Sequence, residues 1–219
     1  MNLSRLLLEL SLCIGGVVLV FGQTTGSETA ASQDEPLLVR NFVYTTPCHL
    51  SPSDTHQQML NVTKLRLAAV EWSPSHVVTG WDSTPFHAAP GSQSHLTQYG
   101  IPTDAEYARM RYTSGLIMPP VFAQLFGAEL PMFITKHVYV TRDAMHIVTE
   151  IAELPLVGDC IVYTRLVATD NYKLLSRNTI MAYRSWYMEL VWSPLQQHLR
   201  DSLWRNTWAL SRAWCGELG

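Results

Sequence analysis

The chain has 219 residues, of which 47% are hydrophobic and only 15% are charged, and its formal net charge is −3. That length and apolar content are enough for one domain with a sizeable core. Because there is no basic surplus and no run of Lys or Arg to neutralise phosphates, the composition argues against nucleic acid as a partner.

The N-terminus predicts a secretory signal peptide. Residues 10–21 are apolar apart from Ser11, and Val20 and Gly22 occupy the positions where a signal peptidase requires small residues. We therefore expect residues 1–22 to be removed. This places the mature protein in the secretory pathway, either secreted or in the lumen of an endomembrane compartment.

Two other interpretations of this leader stay open. Glu9 lies close to the apolar run, as in an uncleaved signal anchor, although the run is shorter than the roughly 17 to 25 residues that span a bilayer. A mitochondrial presequence would be richer in Arg and poorer in acidic residues. The next residues, 23–36, are mainly small, polar or acidic and predict a disordered segment.

The first part of the domain predicts strands and helices followed by a long loop. Residues 37–45 are apolar and β-branched, which is typical of a strand. A helix starts at Ser51-Pro52 and extends to about Glu71, and residues 76–81 predict a second strand. Residues 82–104 are rich in Pro, Gly, Ser and His and predict a long loop, of the kind that forms lids or disordered insertions.

The second part predicts mainly strands. Residues 105–115 alternate as a strand, and a short helix is expected at 119–126, with Pro at its start and Gly127 just past its end. Four further strands are expected at 132–141, 144–153, 160–169 and 172–184. Because short turns join them, they should form an antiparallel meander.

A long C-terminal helix completes the pattern. Ser193-Pro194 with Gln196 forms a capping box, and Gly216 stops the helix after Cys215. A helix of about 21 residues is roughly 31 Å long, enough to cross the width of such a sheet. Its broad apolar stripe consists of Leu195, Leu199, Leu203, Leu210 and Trp214, widened by Trp204 and Trp208.

Three cysteines follow the leader: Cys48, Cys160 and Cys215. Their odd number and wide spacing exclude a dense disulfide framework, and no C-x-x-C pair suggests redox, zinc or haem chemistry. We expect a Cys48–Cys215 disulfide, because both residues end elements whereas Cys160 begins a core strand; three buried thiols are the alternative. The sequon at Asn61 predicts a glycosylation site and agrees with a secretory route.

The order of elements resembles the helix-grip fold of the START-like superfamily. The motif MPPVFAQLFG at 118–127, with TKHVYV at 135–140, is similar to PRELI-type lipid-transfer domains. The segment 154–165, with MAYR at 181–184, is similar to VASt/Aster-type domains. The resemblance implies an α+β domain over residues 37–216, with a curved antiparallel β-sheet wrapped on the long C-terminal α-helix and a hydrophobic ligand between them.

Polar side chains on the strands are candidates for ligand binding. Arg109 and Arg111 share one strand face and would suit a phosphate or carboxylate head group, and Glu150 could accept a sterol hydroxyl. The alternative is a solvent-facing ladder in which the Arg residues pair with Glu150 or Glu153. The complete set of cavity candidates is Arg109, Arg111, Glu150, Leu195, Leu199, Leu203 and Leu210.

The histidines predict no metal site. His137 and His146 belong to consecutive strands and could face each other across the hairpin, but two histidines alone rarely hold a metal. No nucleophile, phosphate-binding or dinucleotide-binding motif occurs either. We therefore expect neither a metal nor another cofactor.

These observations lead to one functional hypothesis with two alternatives. The domain is expected to be a monomer that binds a lipid or sterol-like ligand. A wider form of the hypothesis adds transfer of that ligand. A membrane surface is a further partner, because Trp and Tyr favour membrane interfaces. The alternatives are a cyclase-like or hydrolase-like enzyme with Glu150, His137 or Arg109 in the pocket, and a ligand-free domain with a filled core.

Overall fold

The computed structural model of the chain describes residues 36, 38–71, 79–88, 91–117, 123–124, 129–154, 158–182 and 188–215. The predicted signal peptide, nearly all of the predicted disordered segment and most of the short helix expected at 119–126 lie outside these ranges, so they stay predictions. Residues Asp34–Gly219 belong to one compact unit.

Seven strands form one curved antiparallel sheet. They are β1 Leu38–Pro47, β2 Thr79–Ser83, β3 Glu106–Ile117, β4 Glu129–Val140, β5 Met145–Leu154, β6 Gly158–Thr169 and β7 Lys173–Ala182. The strand order is β1-β7-β6-β5-β4-β3-β2, so the meander predicted from the short turns is confirmed. The first strand adds to the far side of the meander, where Leu38 lies opposite Ala182.

Besides residues 123–124, which are helical, four helices accompany the sheet in the described ranges. They are α1 Pro52–Met59, α2 Val62–Glu71, α3 Gln93–Tyr99 and α4 Met188–Cys215. None of them is long and apolar enough to cross a membrane.

Two helix boundaries differ from the prediction. The helix expected to extend from Ser51 to Glu71 is two helices, because the Asn61 side chain accepts the Lys64 N–H at 3.2 Å and starts a new helix. The C-terminal helix begins at Met188, so Ser193-Pro194 lies within it and not at its start. Met188, Glu189 and Leu190 are strong helix formers, which favours the earlier start.

The region 82–104 is also more ordered than the predicted loop. It contains α3, which ends at Gly100 in the left-handed conformation with φ of 61°. Glycine adopts this conformation without steric cost and therefore ends helices readily. Leu96 of α3 and Ile101 pack with Tyr139 and Val148 in a small apolar cluster. This part of the chain is a packed layer of the structure.

Side chains alternate along each strand, so the sheet has two different faces. The face toward α4, called the inner face below, carries the main core: Met110, Val138 and Ile147 of the strands pack with Leu65 of α2 and Leu210 of α4. The opposite face, called the outer face, is covered by α3. A curved antiparallel sheet closed on its inner side by a long C-terminal helix is the helix-grip arrangement, which confirms the predicted fold class.

A disulfide ties the two ends of the domain together. It joins Cys48, just after β1, to Cys215 at the end of α4, with an S–S distance of 2.06 Å. These are the two cysteines paired from the sequence. Cys160 is a buried free thiol, and burial raises its pKa to about 12.

Candidate functional site

The inner face is the place where the sequence predicts a ligand cavity, and one part of it is closely packed. A space of about 10 Å³ is lined by Leu65, Trp81, Met110, Lys136, Val138, Ile147, Asn206 and Leu210. A cavity must offer roughly 10–15 Å³ to hold a single water molecule. The space that these side chains enclose is therefore no larger than one water molecule.

A second part of the inner face holds polar groups without partners. The hydroxyls of Tyr112 and Ser114, two residues apart on β3, are buried and make no hydrogen bond within the described part of the chain. Tyr112 belongs to an apolar cluster with Met132 and Ile134 of β4. The Lys136 Nζ lies 5.6 Å from the centre of the Tyr112 ring. This region combines apolar walls, two hydroxyls and one cation.

The four leucines predicted to line the cavity have different surroundings. Leu210 is buried in the main core, and Leu203 packs against an inner-face cluster formed by Leu38, Cys160, Ile180 and Ala182. The side chains of Leu195 and Leu199 lie outside the described part of the structure, so their role stays a prediction.

The prediction that Arg109, Arg111 and Glu150 line this cavity is wrong. Met110 lies in the main core on the inner face, so the alternation along β3 places Arg109 and Arg111 on the outer face. Glu150 also lies on the outer face. It is two residues from Val148, which belongs to the apolar cluster that contains Leu96 of α3. The sequence shows which residues share a face, but it does not show which face the helix covers.

Glu150 is the centre of a cluster of side chains on the outer face. Its Oε1 lies 3.1 Å from the Nε2 of His95, and its Oε2 lies 3.5 Å from the Nε2 of His137. The other ring nitrogen of each histidine contacts a tyrosine hydroxyl. His95 Nδ1 lies 3.1 Å from Tyr139 Oη, and His137 Nδ1 lies 2.8 Å from Tyr107 Oη. Five side chains thus form one continuous network, called the His-Glu cluster below.

Four elements bring the cluster together. The pairing of β3 with β4 places Tyr107 opposite Tyr139, which is two residues from His137 on the same face. The pairing of β4 with β5 places Glu150 opposite Thr135, also on that face. Helix α3 adds His95. The Ser92 N–H donates to Tyr139 Oη at 3.2 Å and holds the start of this helix against β4.

Hydrogen bonds set the charge of the cluster. The bonds from His137 and His95 lower the pKa of Glu150 to about 2, so its carboxylate is ionised near neutral pH. Burial raises the pKa of Tyr139 to about 12, so its hydroxyl keeps its proton. The Glu150 side chain is 41% exposed, whereas those of His137 and His95 are 15% and 9% exposed. Solvent therefore reaches the cluster at the carboxylate.

The structure brings His137 together with His95, a pair that the sequence analysis did not consider. The rings of His95 and His137 are 4.8 Å apart between centroids. The pair considered from the sequence, His137 and His146, is not directly opposite, because Tyr139 faces His146 and the His146 Nδ1 bonds the Tyr163 hydroxyl at 2.7 Å. The proximity of His137 and Glu150 could have been predicted from the register of the β4–β5 hairpin. No signal in the sequence predicts that His95 joins them.

No family profile and no curated protein matches the chain. Among solved structures it is similar to TTHA0849 from Thermus thermophilus, with 8% identity, a TM-score of 0.47, and coverage of 80% of this chain and 96% of that one. It is also similar to Ara h 8.0201, with 10% identity, a TM-score of 0.41 and coverage of 79% and 99%. A third is the di-domain ARO/CYC StfQ from the steffimycin biosynthetic pathway, with 12% identity, a TM-score of 0.42 and coverage of 81% and 51%. These likenesses concern the fold and assign neither ligand nor activity.

Proposed function

We propose that this domain binds one lipid or sterol-like molecule between the inner face of the sheet and α4, in the manner of the PRELI-type and VASt-type lipid-transfer domains that its sequence resembles. The observation that carries the proposal is the pair of buried hydroxyls without partners, Tyr112 Oη and Ser114 Oγ. A buried polar group with no hydrogen bond costs about 1–3 kcal/mol, so such groups in a folded domain call for a partner.

The surroundings of these hydroxyls define the ligand chemistry. Tyr112 stacks on Trp81 with 5.2 Å between ring centres and clusters with Met132 and Ile134, which provide apolar contacts for a hydrocarbon body. The hydroxyls can donate to or accept from one polar group, and the nearby Lys136 ammonium would favour a negative one. A molecule with an apolar body and a hydroxyl, carboxylate or phosphate at one end fits this combination.

The proposed location is the secretory pathway, either secreted or in an endomembrane lumen. The Cys48–Cys215 disulfide agrees with an oxidising compartment. Asn61 is exposed at the start of α2, where the glycosylation machinery could reach it. Anchoring by the N-terminal segment is the alternative, and it would hold the same domain at a membrane surface.

Native mass spectrometry of protein purified from its own host tests the proposal. We expect a co-purifying lipid mass. The Tyr112→Phe variant should bind that lipid about 3–10-fold more weakly, the equivalent of one lost hydrogen bond. The unliganded variant should melt no lower than the parent, because it has lost an unsatisfied hydroxyl. A clean protein mass after mild extraction, with binding unaffected by Tyr112→Phe, would favour a filled core.

A further inference from the structure

The His-Glu cluster has the composition of a metal site. We infer that His95, His137 and Glu150 bind a divalent transition-metal ion of the Zn²⁺ type on the outer face of the sheet. Two imidazoles and one carboxylate are a common ligand set for such ions. Among the described residues this is the one group of three such side chains whose ligand atoms approach within 4.8 Å of one another. It lies on the opposite face from the proposed lipid site and is independent of it.

The distances are close to those of a bound state. Metal–ligand bonds of about 2.0–2.2 Å hold two ligand atoms roughly 3–4 Å apart. Both histidines already point Nε2 at the same carboxylate, at 3.1 and 3.5 Å. Side-chain movements on the order of 1 Å would therefore complete the coordination, and they require no change in strand register.

The tyrosines supply the outer contacts that a metal-binding histidine requires. A histidine that binds a metal through one ring nitrogen nearly always donates its other N–H to an acceptor, which fixes the ring. Here both Nδ1 atoms face a hydroxyl, that of Tyr139 for His95 and that of Tyr107 for His137. Tyr139 also accepts the Ser92 N–H, which leaves its second lone pair for His95.

A hydroxyl is suited to this role because it can donate or accept. In the tautomer with hydrogen on Nε2, each tyrosine O–H donates to Nδ1 and each Nε2–H donates to Glu150. When the ion binds, the Nε2 lone pairs coordinate it, the imidazole proton moves to Nδ1, and each hydroxyl turns to accept that N–H. In this rearrangement one tautomer of each ring replaces the other, and the proton stays on the same ring.

The charges near the cluster have opposing effects. The ionised carboxylate attracts a cation, whereas Arg109, opposite His137 in the β3–β4 pairing, and the exposed Arg111 repel one. Water and salt screen the repulsion by the exposed Arg111 guanidinium, whereas the metal–ligand bonds are direct. Three protein ligands leave a coordination position free on the solvent side, as in catalytic and not in structural zinc sites.

Titration calorimetry of the full-length chain with Zn²⁺, and visible absorption of its Co²⁺ complex, test the inference. We expect one ion per chain. His137→Gln and Glu150→Gln should each weaken binding by more than the roughly 10–100-fold typical of an outer contact, and Tyr107→Phe should weaken it within that range. The matched control His49→Gln, at an exposed histidine, should leave binding unchanged.

Circular dichroism of each variant separates lost binding from lost folding. If His137→Gln fails to fold, the exposed carboxylate variant Glu150→Gln still decides the question. No binding by the parent would overturn the inference. Binding at the parent affinity by both His137→Gln and Glu150→Gln would also overturn it, because the ion would then lie at other histidines.

Discussion

Gly91 lies against the ring of Tyr139 so closely that a Cβ atom on Gly91 would be 2.6 Å from both Cε1 and Oη of that ring. It would also be 2.8 Å from Cδ2 of Tyr107. Real Cβ atoms do not approach heavy atoms this closely, so only glycine lets the chain before α3 reach the outer face. The position of His95 in the His-Glu cluster depends on this contact.

The Gly91→Ala variant should therefore be destabilised. Both tyrosines are held by hydrogen bonds within the cluster, so they cannot yield freely, and overpacking of this kind costs about 1–3 kcal/mol. The free energy of unfolding in urea measures the effect. Gly80→Ala is the comparison for backbone strain without overpacking, because Gly80 has open space around it and its φ of 63° alone opposes a side chain, at about 1–2 kcal/mol. Of the two variants, Gly91→Ala alone should lose α3 protection in hydrogen exchange. Equal α3 protection in hydrogen exchange for Gly91→Ala and the parent would contradict the prediction.

Stability should fall between pH 6.5 and 4 because of His146. Burial, and secondarily the charge of Arg165, lowers the pKa of His146 from 6.5 to about 4 in the folded protein. In this window the unfolded chain binds a proton that the folded chain does not, so the free energy of unfolding decreases as the pH falls. Allowing for partial solvent screening, we expect a loss of about 1–2 kcal/mol.

The His146→Gln variant tests this pH dependence. Glutamine can still bond the Tyr163 hydroxyl but does not titrate, so the slope of unfolding free energy against pH should become shallower over this window. Exposed His49→Gln is the control and should keep the parent slope. A slope that is the same in His146→Gln and the parent would assign the acid sensitivity to other groups.

Loss of the disulfide should destabilise the domain strongly. The Cys48–Cys215 bond links positions 167 residues apart, and its removal restores much conformational freedom to the unfolded chain. We expect the Cys48→Ser/Cys215→Ser variant to lose about 2–5 kcal/mol. Reduction of the parent by dithiothreitol should lower its melting temperature similarly and leave that of the variant unchanged. A parent that melts at the same temperature with and without reductant would show that the ends are held by packing alone.

The lipid proposal predicts a specific effect at Leu203. This residue is half-buried and faces the inner-face cluster that contains Leu38 and Ile180. If a ligand space adjoins it, Leu203→Trp should block lipid uptake while the melting temperature stays nearly unchanged. In a filled core the same change would cost about 1–3 kcal/mol.

A fluorescent-lipid binding assay and a thermal melt on the same sample decide between these outcomes. Arg205→Trp, at an exposed position of α4, is the matched control and should bind like the parent. Intact binding by Leu203→Trp would contradict the cavity at this position. A large loss of stability would favour a core that side chains already fill.

The sequence by itself determined the elements whose signals are local. Alternating apolar residues and short turns specified the β4–β7 meander, since neighbouring strands joined by short turns pair antiparallel with little choice. The apolar stripe through Leu203 and Leu210 specified a helix that covers a sheet. These features follow from backbone geometry and burial within a few dozen residues, so no tertiary information is needed.

Only the tertiary structure decided what the polar residues do. The two-residue period of a strand places Arg109 and Arg111 on one face. Packing of the whole domain decides which face α4 covers, and α4 covers the opposite face, which carries Met110. Helix α3 is too short to have a clear periodic signal. It is held against the sheet by the hydrogen bond that the Ser92 N–H donates to the Tyr139 hydroxyl. His95 and Glu150 are 55 residues apart, and they meet because packing against the outer face carries α3 to β5.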